Sequence, residues 1–307
     1  MEKFEFKKEE GILDSLDKQL LLARKLENVY QNRPDIGSFV GAMPGTKYEN
    51  NYSEESVNKD KEYVKQKRID IEKTNIIDTR DNLDRVEGGF QLSEILQAMV
   101  VDRLNKKWFK DCEAIMTSDY DDLKVGVDAV MKHKTGGYLG VAFDFTVTNK
   151  EENIKKKLQK EWDSVKEGEV RTIKYFEDPD TKQKGSLLVP KFIIGASKKD
   201  VEELANAYLN NNNELLDNHP LKYVILLQIE EQLQTVLDYY EVNKENPKFQ
   251  FAKKQYEKIE SLIRNMKNEI HTNEEMHKNI DLYEYTKTNI ALDTMRRFRV
   301  MRESESI

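Results

Sequence analysis

A chain of 307 residues with 35% charged side chains, a mean hydropathy of -0.79 and a net charge of -7 has room for one large domain or two smaller ones, with much of its surface in solvated helix and loop. No apolar run approaches the ~18 residues a membrane-spanning helix needs, and the opening MEKFEFKKEE lacks the apolar segment of a secretory signal, so a cytoplasmic protein with no membrane partner is expected. The single cysteine, Cys112, excludes an internal disulfide and a multi-cysteine zinc site, and the acidic balance excludes indiscriminate coating of nucleic acid.

The first organised piece, GILDSLDKQLLLARKLENVY, repeats Ile12, Leu16, Leu20, Leu22 and Leu26 at roughly helical spacing and predicts an N-terminal helix within residues 1–30. Residues 31–87 turn polar, punctuated by Gly, Pro and Asn and then heavily charged, which reads as a linker or a surface wrap. GAMPGTK within it lacks the Gly-Lys-Ser/Thr order of a phosphate loop and the strand and helix that frame one. From Phe90, FQLSEILQAMVVDRLNKKWF sets Phe90, Leu92, Ile95, Leu96, Met99, Val100, Leu104 and Trp108 on one broad face of a core helix. CEAIMTS, VGVDAVM and YLGVAFDFTVT follow as a meander of three β-rich runs between polar or glycine turns. A helix from about Lys150 comes next, with Asn149 as its cap, Glu151 and Glu152 in its first turn, and Ile154, Leu158, Trp162 and Val165 as its buried stripe. VRTIKYF and SLLVPKFIIG return to strand, with Pro190 marking an edge or a bulge. Together these form an α/β core over 88–197. Residues 198–307 read as a helical extension, with helical spacing near 199–209, 220–242, 249–270 and 275–303.

Two aspartates stand inside apolar strand runs, Asp128 in VGVDAVM and Asp144 in VAFDFTV. With a three-residue loop, Thr135-Gly136-Gly137, Lys134 pairs with Tyr138 and the register carries Asp128 opposite Asp144 on one face; a two-residue loop puts them on opposite faces. Directly opposed side chains have Cβ atoms about 4.5–5.5 Å apart, and two carboxylates so placed repel unless a cation lies between them. Hard oxygen ligands select Mg²⁺ or Mn²⁺, which holds an attacking water and polarises a phosphoryl oxygen. The plainer alternative is a pair of solvated aspartates on an edge strand. Thr146 shares the face of Asp144, while Phe143, Phe145 and Val147 point into a core, so the carboxylates are expected on a helix-free or cleft side.

Helix, three-stranded meander with Gly-Val-Asp in its second strand and a hydrophobic-Asp run in its third, then helix and strand: over roughly residues 88–195 this order resembles the PD-(D/E)XK nuclease superfamily. The resemblance implies an α/β fold, an α-β-β-β-α-β restriction-endonuclease-like core with a long α-helical C-terminal extension. It implies a metal-dependent nuclease that hydrolyses phosphodiester bonds of nucleic acid, with Asp128 and Asp144 binding Mg²⁺ or Mn²⁺. Where the superfamily carries a lysine two residues after the second acid, this chain has Thr146. Members that supply the lysine from the following helix direct attention to Lys155, Lys156 and Lys157. Lys155 lies closest to the edge of the stripe centred near Leu158 and is the expected catalytic lysine, whereas Lys156 points to solvent. Glu94 on the core helix matches the helix-borne glutamate of many members and is a candidate third ligand. The alternative function is a catalytically degenerate nuclease-fold protein whose C-terminal helices bind nucleic acid or protein, or a second copy of the chain. His133, His219, His271 and His277 have no zinc-site spacing. The terminal MRRFRVMR interleaves arginines with Phe298, Val300 and Met301 as a nucleic-acid-contacting helix does, although arginines equally suit a helix C-terminus.

Overall fold

The computed structural model describes residues 16–26, 52–77, 92–133, 141–147, 150–178, 184–271 and 289–305. Helix α1 (Leu16–Lys25) buries Leu22 and Leu26, and its last residue, Lys25, donates to the carbonyls of Tyr208 and Leu209 at 2.7 and 3.2 Å. Where composition points to a linker or wrap, Glu54–Ile77 form a 24-residue helix, α2. Its residues are good helix formers, but it has no continuous apolar stripe to announce itself. It is held by the buried Val57 and Val64 and by a tyrosine cluster described below.

Helix α3 (Leu92–Arg103) is buried almost all round, with Gln97, Asp102 and Arg103 buried alongside its apolar residues, and it passes into a π-helical turn, Leu104–Trp108. Strand β1 (Cys112–Met116) follows. The expected meander is then interrupted by a short helix, α4 (Asp119–Val125), which Ser118 caps by accepting from the Asp121 N–H and which Gly126 closes at a φ of 70°. Strands β2 (Ala129–His133) and β3 (Val141–Val147) pair antiparallel through Ala129↔Phe143, Val130↔Ala142 and Met131↔Val141. This is the register of the three-residue loop; the ladder ends at Ala129, and Asp128 just before it donates its N–H to the Phe143 carbonyl at 2.7 Å instead of continuing the regular pairing. Residues 134–140, which hold the loop itself, lie outside the described residues. Phe143 and Phe145 are buried in the core.

Helix α5 (Glu151–Lys166) buries Ile154, Leu158, Trp162 and Val165. The expected cap, Asn149, lies outside the described residues; Lys150 occupies the cap position and its side chain makes no cap bond. Pro190, which cannot donate to a ladder, divides the next apolar run. On one side β4 (Arg171–Glu177) and β5 (Lys184–Val189) form a hairpin of their own, and on the other β6 (Lys191–Ala196) joins the main sheet parallel to β3. The main sheet runs β1-β2-β3-β6. Its outer strands carry side-chain amides on their free borders. At β1, Asn105 donates to the Ala114 carbonyl at 2.8 Å and accepts from the Ala114 N–H at 2.6 Å. At β6, Gln228 brackets Gly195 in the same way at 2.8 and 2.9 Å, and Gln232 brackets Ile193 at 2.9 Å on both bonds.

The C-terminal region is helical: α6 (Lys198–Leu209, opened by a Ser197–Asp200 capping box), α7 (Asn213–Asn218), α8 (Leu221–Val242), α9 (Pro247–His271) and α10 (Ile290–Glu305). Residues 272–288, where the last predicted helix was to begin, lie outside the described residues. Helix α8 supplies the two glutamines at β6, and α10 crosses both α8 and α5. A Cβ built on Gly195 would stand 2.4 Å from the Ala291 Cβ of α10. These helices are not a separate layer, because one apolar cluster runs from Leu22 of α1 through α3, the sheet and α5 to Phe298 of α10.

Between α2, α4 and β4, Tyr52, Tyr63, Tyr120 and Tyr175 pack edge to face, and the Lys174 amine lies 5.0, 5.5 and 5.3 Å from the rings of Tyr52, Tyr120 and Tyr175. Lys174 also sits 2.5 Å from the Asp60 carboxylate. Burial, reinforced by Asp60 and Asp121, pushes the Tyr120 phenol up to about 12, and burial likewise raises Tyr175, Tyr208, Tyr240 and Tyr256. A phenol whose folded pKa exceeds its unfolded value adds stability that is complete below pH ~10 and is lost as pH rises through the folded value. Stability is therefore expected to fall steeply above pH ~10, and phenolate absorbance to rise together with loss of helix. Ionisation of every tyrosine near pH ~10 with the fold intact would contradict this.

Candidate functional site

Asp128 lies one residue before β2, and its backbone is fixed from three directions. Its carbonyl accepts from the Thr117 N–H at 3.0 Å, the Thr117 hydroxyl at 3.2 Å and the Gln97 amide of α3 at 2.8 Å, while its own N–H donates to the Phe143 carbonyl at 2.7 Å. Its carboxylate accepts from the Phe145 N–H of β3 at 2.5 Å. The side chain keeps part of its surface open, yet its carboxyl is closely surrounded. Burial first, then the negative charges of Asp122 and Asp144, push it well above the usual carboxylate range, against the pull of Lys157 and of the Phe145 N–H.

Asp144, at the middle of β3, is 8% exposed and is gripped at both oxygens: Lys157 of α5 lies 2.5 Å from Oδ1 and Lys191 of β6 lies 3.0 Å from Oδ2. The Lys157 amine also donates to the Phe145 carbonyl at 3.3 Å. Lys191 stands 3.7 Å from Glu161, which Arg171 holds at 2.8 Å. Gly126 closes one side: a Cβ there would come within 3.2 Å of the Lys191 amine and 3.6 Å of Asp144 Oδ2, so both its positive φ and this close approach call for glycine.

The structure thus sets Asp128 beside Asp144 and leaves other expected residues elsewhere. Lys155 does not reach the site; its side chain is 53% exposed and pairs with Glu151 at 2.5 Å. Lys155 and Lys157 flank opposite sides of the α5 stripe, and angular distance from the stripe does not say which flank faces β3. Lys157 is the one on that flank, with a stem long enough to reach the strand. Thr146 is half-buried on β3, in register with Gly195. Glu94 is exposed in the first turn of α3, and among the described residues no group of three or more Asp, Glu, His or Cys side chains is arranged to hold a metal.

The Asp144 face is also not helix-free. Ala142, two residues earlier on that face, packs with Val127 and Val130 under Ile173, Phe176 and Val189 of the β4–β5 hairpin, and α5 reaches over to deliver Lys157. Lys191 escapes a sequence reading because it becomes a partner of Asp144 only through the parallel pairing of β6 with β3. The arginines of α10 are engaged within the fold: Arg296 and Arg299 with Glu231, and Arg297 with Glu151 and Asp293. No helix among the described residues is long and apolar enough to cross a membrane. No family model, curated protein or solved structure matches this chain.

Proposed function

We propose that this protein is a metal-dependent nuclease with a restriction-endonuclease-like core formed by α3, the four-stranded sheet and α5, in which α4 and the β4–β5 hairpin are insertions. The observation that carries the reading is the neighbourhood of the two carboxylates, Asp128 being held by the Phe145 N–H beside Asp144, with Lys157 brought onto Asp144 from the helix after β3. The donor set suits Mg²⁺ or Mn²⁺. Two rigidly positioned carboxylates match the one or two that Mg²⁺ usually takes from protein, with water and substrate oxygens completing its shell, and they are too few for a dedicated Ca²⁺ cage. When bound, the ion supplies Lewis-acid activation of water and of the phosphoryl group. The protein's own part is to hold Asp128 through its three-way backbone anchor, to hold Asp144 through Lys191, and to offer the Lys157 ammonium to developing phosphate charge in place of the lysine that Thr146 replaces.

Incubation with mixed DNA and RNA in Mg²⁺ or Mn²⁺, with a chelator control, tests this. Asp144→Ala is expected to abolish cleavage, and Lys157→Ala to lower it by on the order of 10² with helix content unchanged, because the lysine is partly exposed. Wild-type rates in Lys157→Ala would remove that lysine from the chemistry. A second reading, a nuclease-like fold that binds nucleic acid or protein without cutting, rests on Thr146 and on the two ammonium groups that already neutralise Asp144. Lack of cleavage by every form with every metal and substrate would favour it.

A further inference from the structure

Two lysines hold the one carboxylate of Asp144, and they are held very differently. Lys191 is 4% exposed at its side chain, is covered by Gly126, and lies between Asp144 and Glu161. Lys157 is 36% exposed and approaches from α5 on a four-carbon stem; among the described residues its direct contacts are Asp144 Oδ1 and the Phe145 carbonyl, and its charge also acts on Asp128. Lys191 is therefore a permanent counter-charge, and Lys157 the partner that can leave. The two oxygens are divided between them, Oδ2 facing Lys191 and Gly126 and Oδ1 facing the part-exposed Lys157.

We infer that Lys157 is a displaceable occupant of the cation's place on Asp144, so that a divalent ion binds by expelling the lysine ammonium, which becomes free for an anion only once the ion has arrived. This rests on the metal-dependent reading above and adds an order of events to it. The physical reason is like-charge exclusion. A divalent ion coordinates carboxylate oxygen at ~2.0–2.1 Å, and an ammonium 2.5 Å from the same oxygen is left within a few ångströms of it, where repulsion between the two is strong in a site largely shut off from water. The lysine carries one charge on a flexible stem and the ion carries two, so the lysine yields. Such a lysine weakens metal binding even though it assists chemistry, so its two effects have opposite signs.

Mn²⁺ titration of the full chain by calorimetry, alongside a spectroscopic measure of free Mn²⁺, reads the binding effect without reference to cleavage. Lys157→Met keeps the length and removes the charge, and is expected to bind Mn²⁺ about tenfold more tightly than wild type. Lys157→Arg, whose fork can hold the carboxylate at two points, is expected to bind it more weakly. Lys160→Met, an exposed lysine of the same helix, controls for the general loss of one positive charge and is expected to match wild type. Equal or weaker binding by Lys157→Met, in a wild-type background whose binding is lost in Asp144→Ala, overturns the displacement and leaves the metal reading standing. Absence of Mn²⁺ binding in both wild type and Lys157→Met overturns the two together.

Discussion

Replacing Lys191 by methionine is expected to destabilise the fold by ~3 kcal/mol, because it removes the buried positive charge shared by two buried carboxylates. Asp144 and Glu161 are each under a tenth exposed, and Lys191 stands 3.0 and 3.7 Å from them. Methionine fills a similar volume, so the loss is electrostatic rather than a cavity. Arg171 still holds Glu161 and Lys157 still holds Asp144, which keeps the cost at the lower end of the range for breaking a buried ion pair. Asp144→Asn in the Lys191→Met background is expected to recover part of the stability, since it withdraws one of the charges left uncompensated. Denaturant unfolding of the two variants and the double variant measures the coupling, and purely additive losses would mean that Lys191 acts through packing alone.

Gly195→Ala is expected to cost ~2–3 kcal/mol or more, an unusually large effect for one added methyl group. The new Cβ would lie 2.4 Å from the Ala291 Cβ, so either β6 or α10 must move, and β6 is pinned on one side to β3 and on the other to Gln228 and Gln232 of α8. The movement falls on α10. Ala291→Gly removes the opposing methyl and leaves the Ala291 Cα, 3.8 Å away, as the nearest part of that residue, which is ordinary contact. The double variant is therefore expected to be more stable than Gly195→Ala alone, even though a glycine within a helix is itself unfavourable by up to about 1 kcal/mol. If the second substitution only adds to the loss, the α10–β6 approach is not the cause.

These effects also mark where the sequence is legible. Helices α3, α5 and α8 carry broad apolar faces, and such faces announce themselves by spacing. The β2–β3 register follows from parity, since a single face assignment and one turn length fix every pair. Helix α4 does not show itself because SDYDDLKV has no apolar stripe; its cap, Ser118, and its stop, Gly126, are local signals that a reading for strands passes over. Helix α2 is polar on nearly every side and is held by its own Val57 and Val64 packing with Tyr175 and Tyr120, contributed by distant elements. At the candidate site, Asp128 and Asp144 can be aligned from sequence, but Lys191 and Glu161 reach them only through a parallel strand and a helix whose placement no local pattern encodes. The choice of Lys157 over Lys155 depends on which way α5 rolls against the sheet, a matter of tertiary packing such as that of Trp162 on Phe298 of α10, which local spacing does not encode.

The amides of Asn105, Gln228 and Gln232 have a consequence for how this protein meets other chains. Each presents one donor and one acceptor to a single strand residue, the pair of groups that a neighbouring peptide would offer. They act as stoppers that finish the sheet at a width of four. A strand from another molecule cannot be recruited at Gly195 or Ile193 without first evicting a glutamine and separating α8 from β6, so growth by templated addition is blocked along that border. The stoppers are one residue deep, and they protect only while the helices that carry them stay docked. Loosening of α8 would therefore expose a ready-made template, and self-association during unfolding should begin at β6.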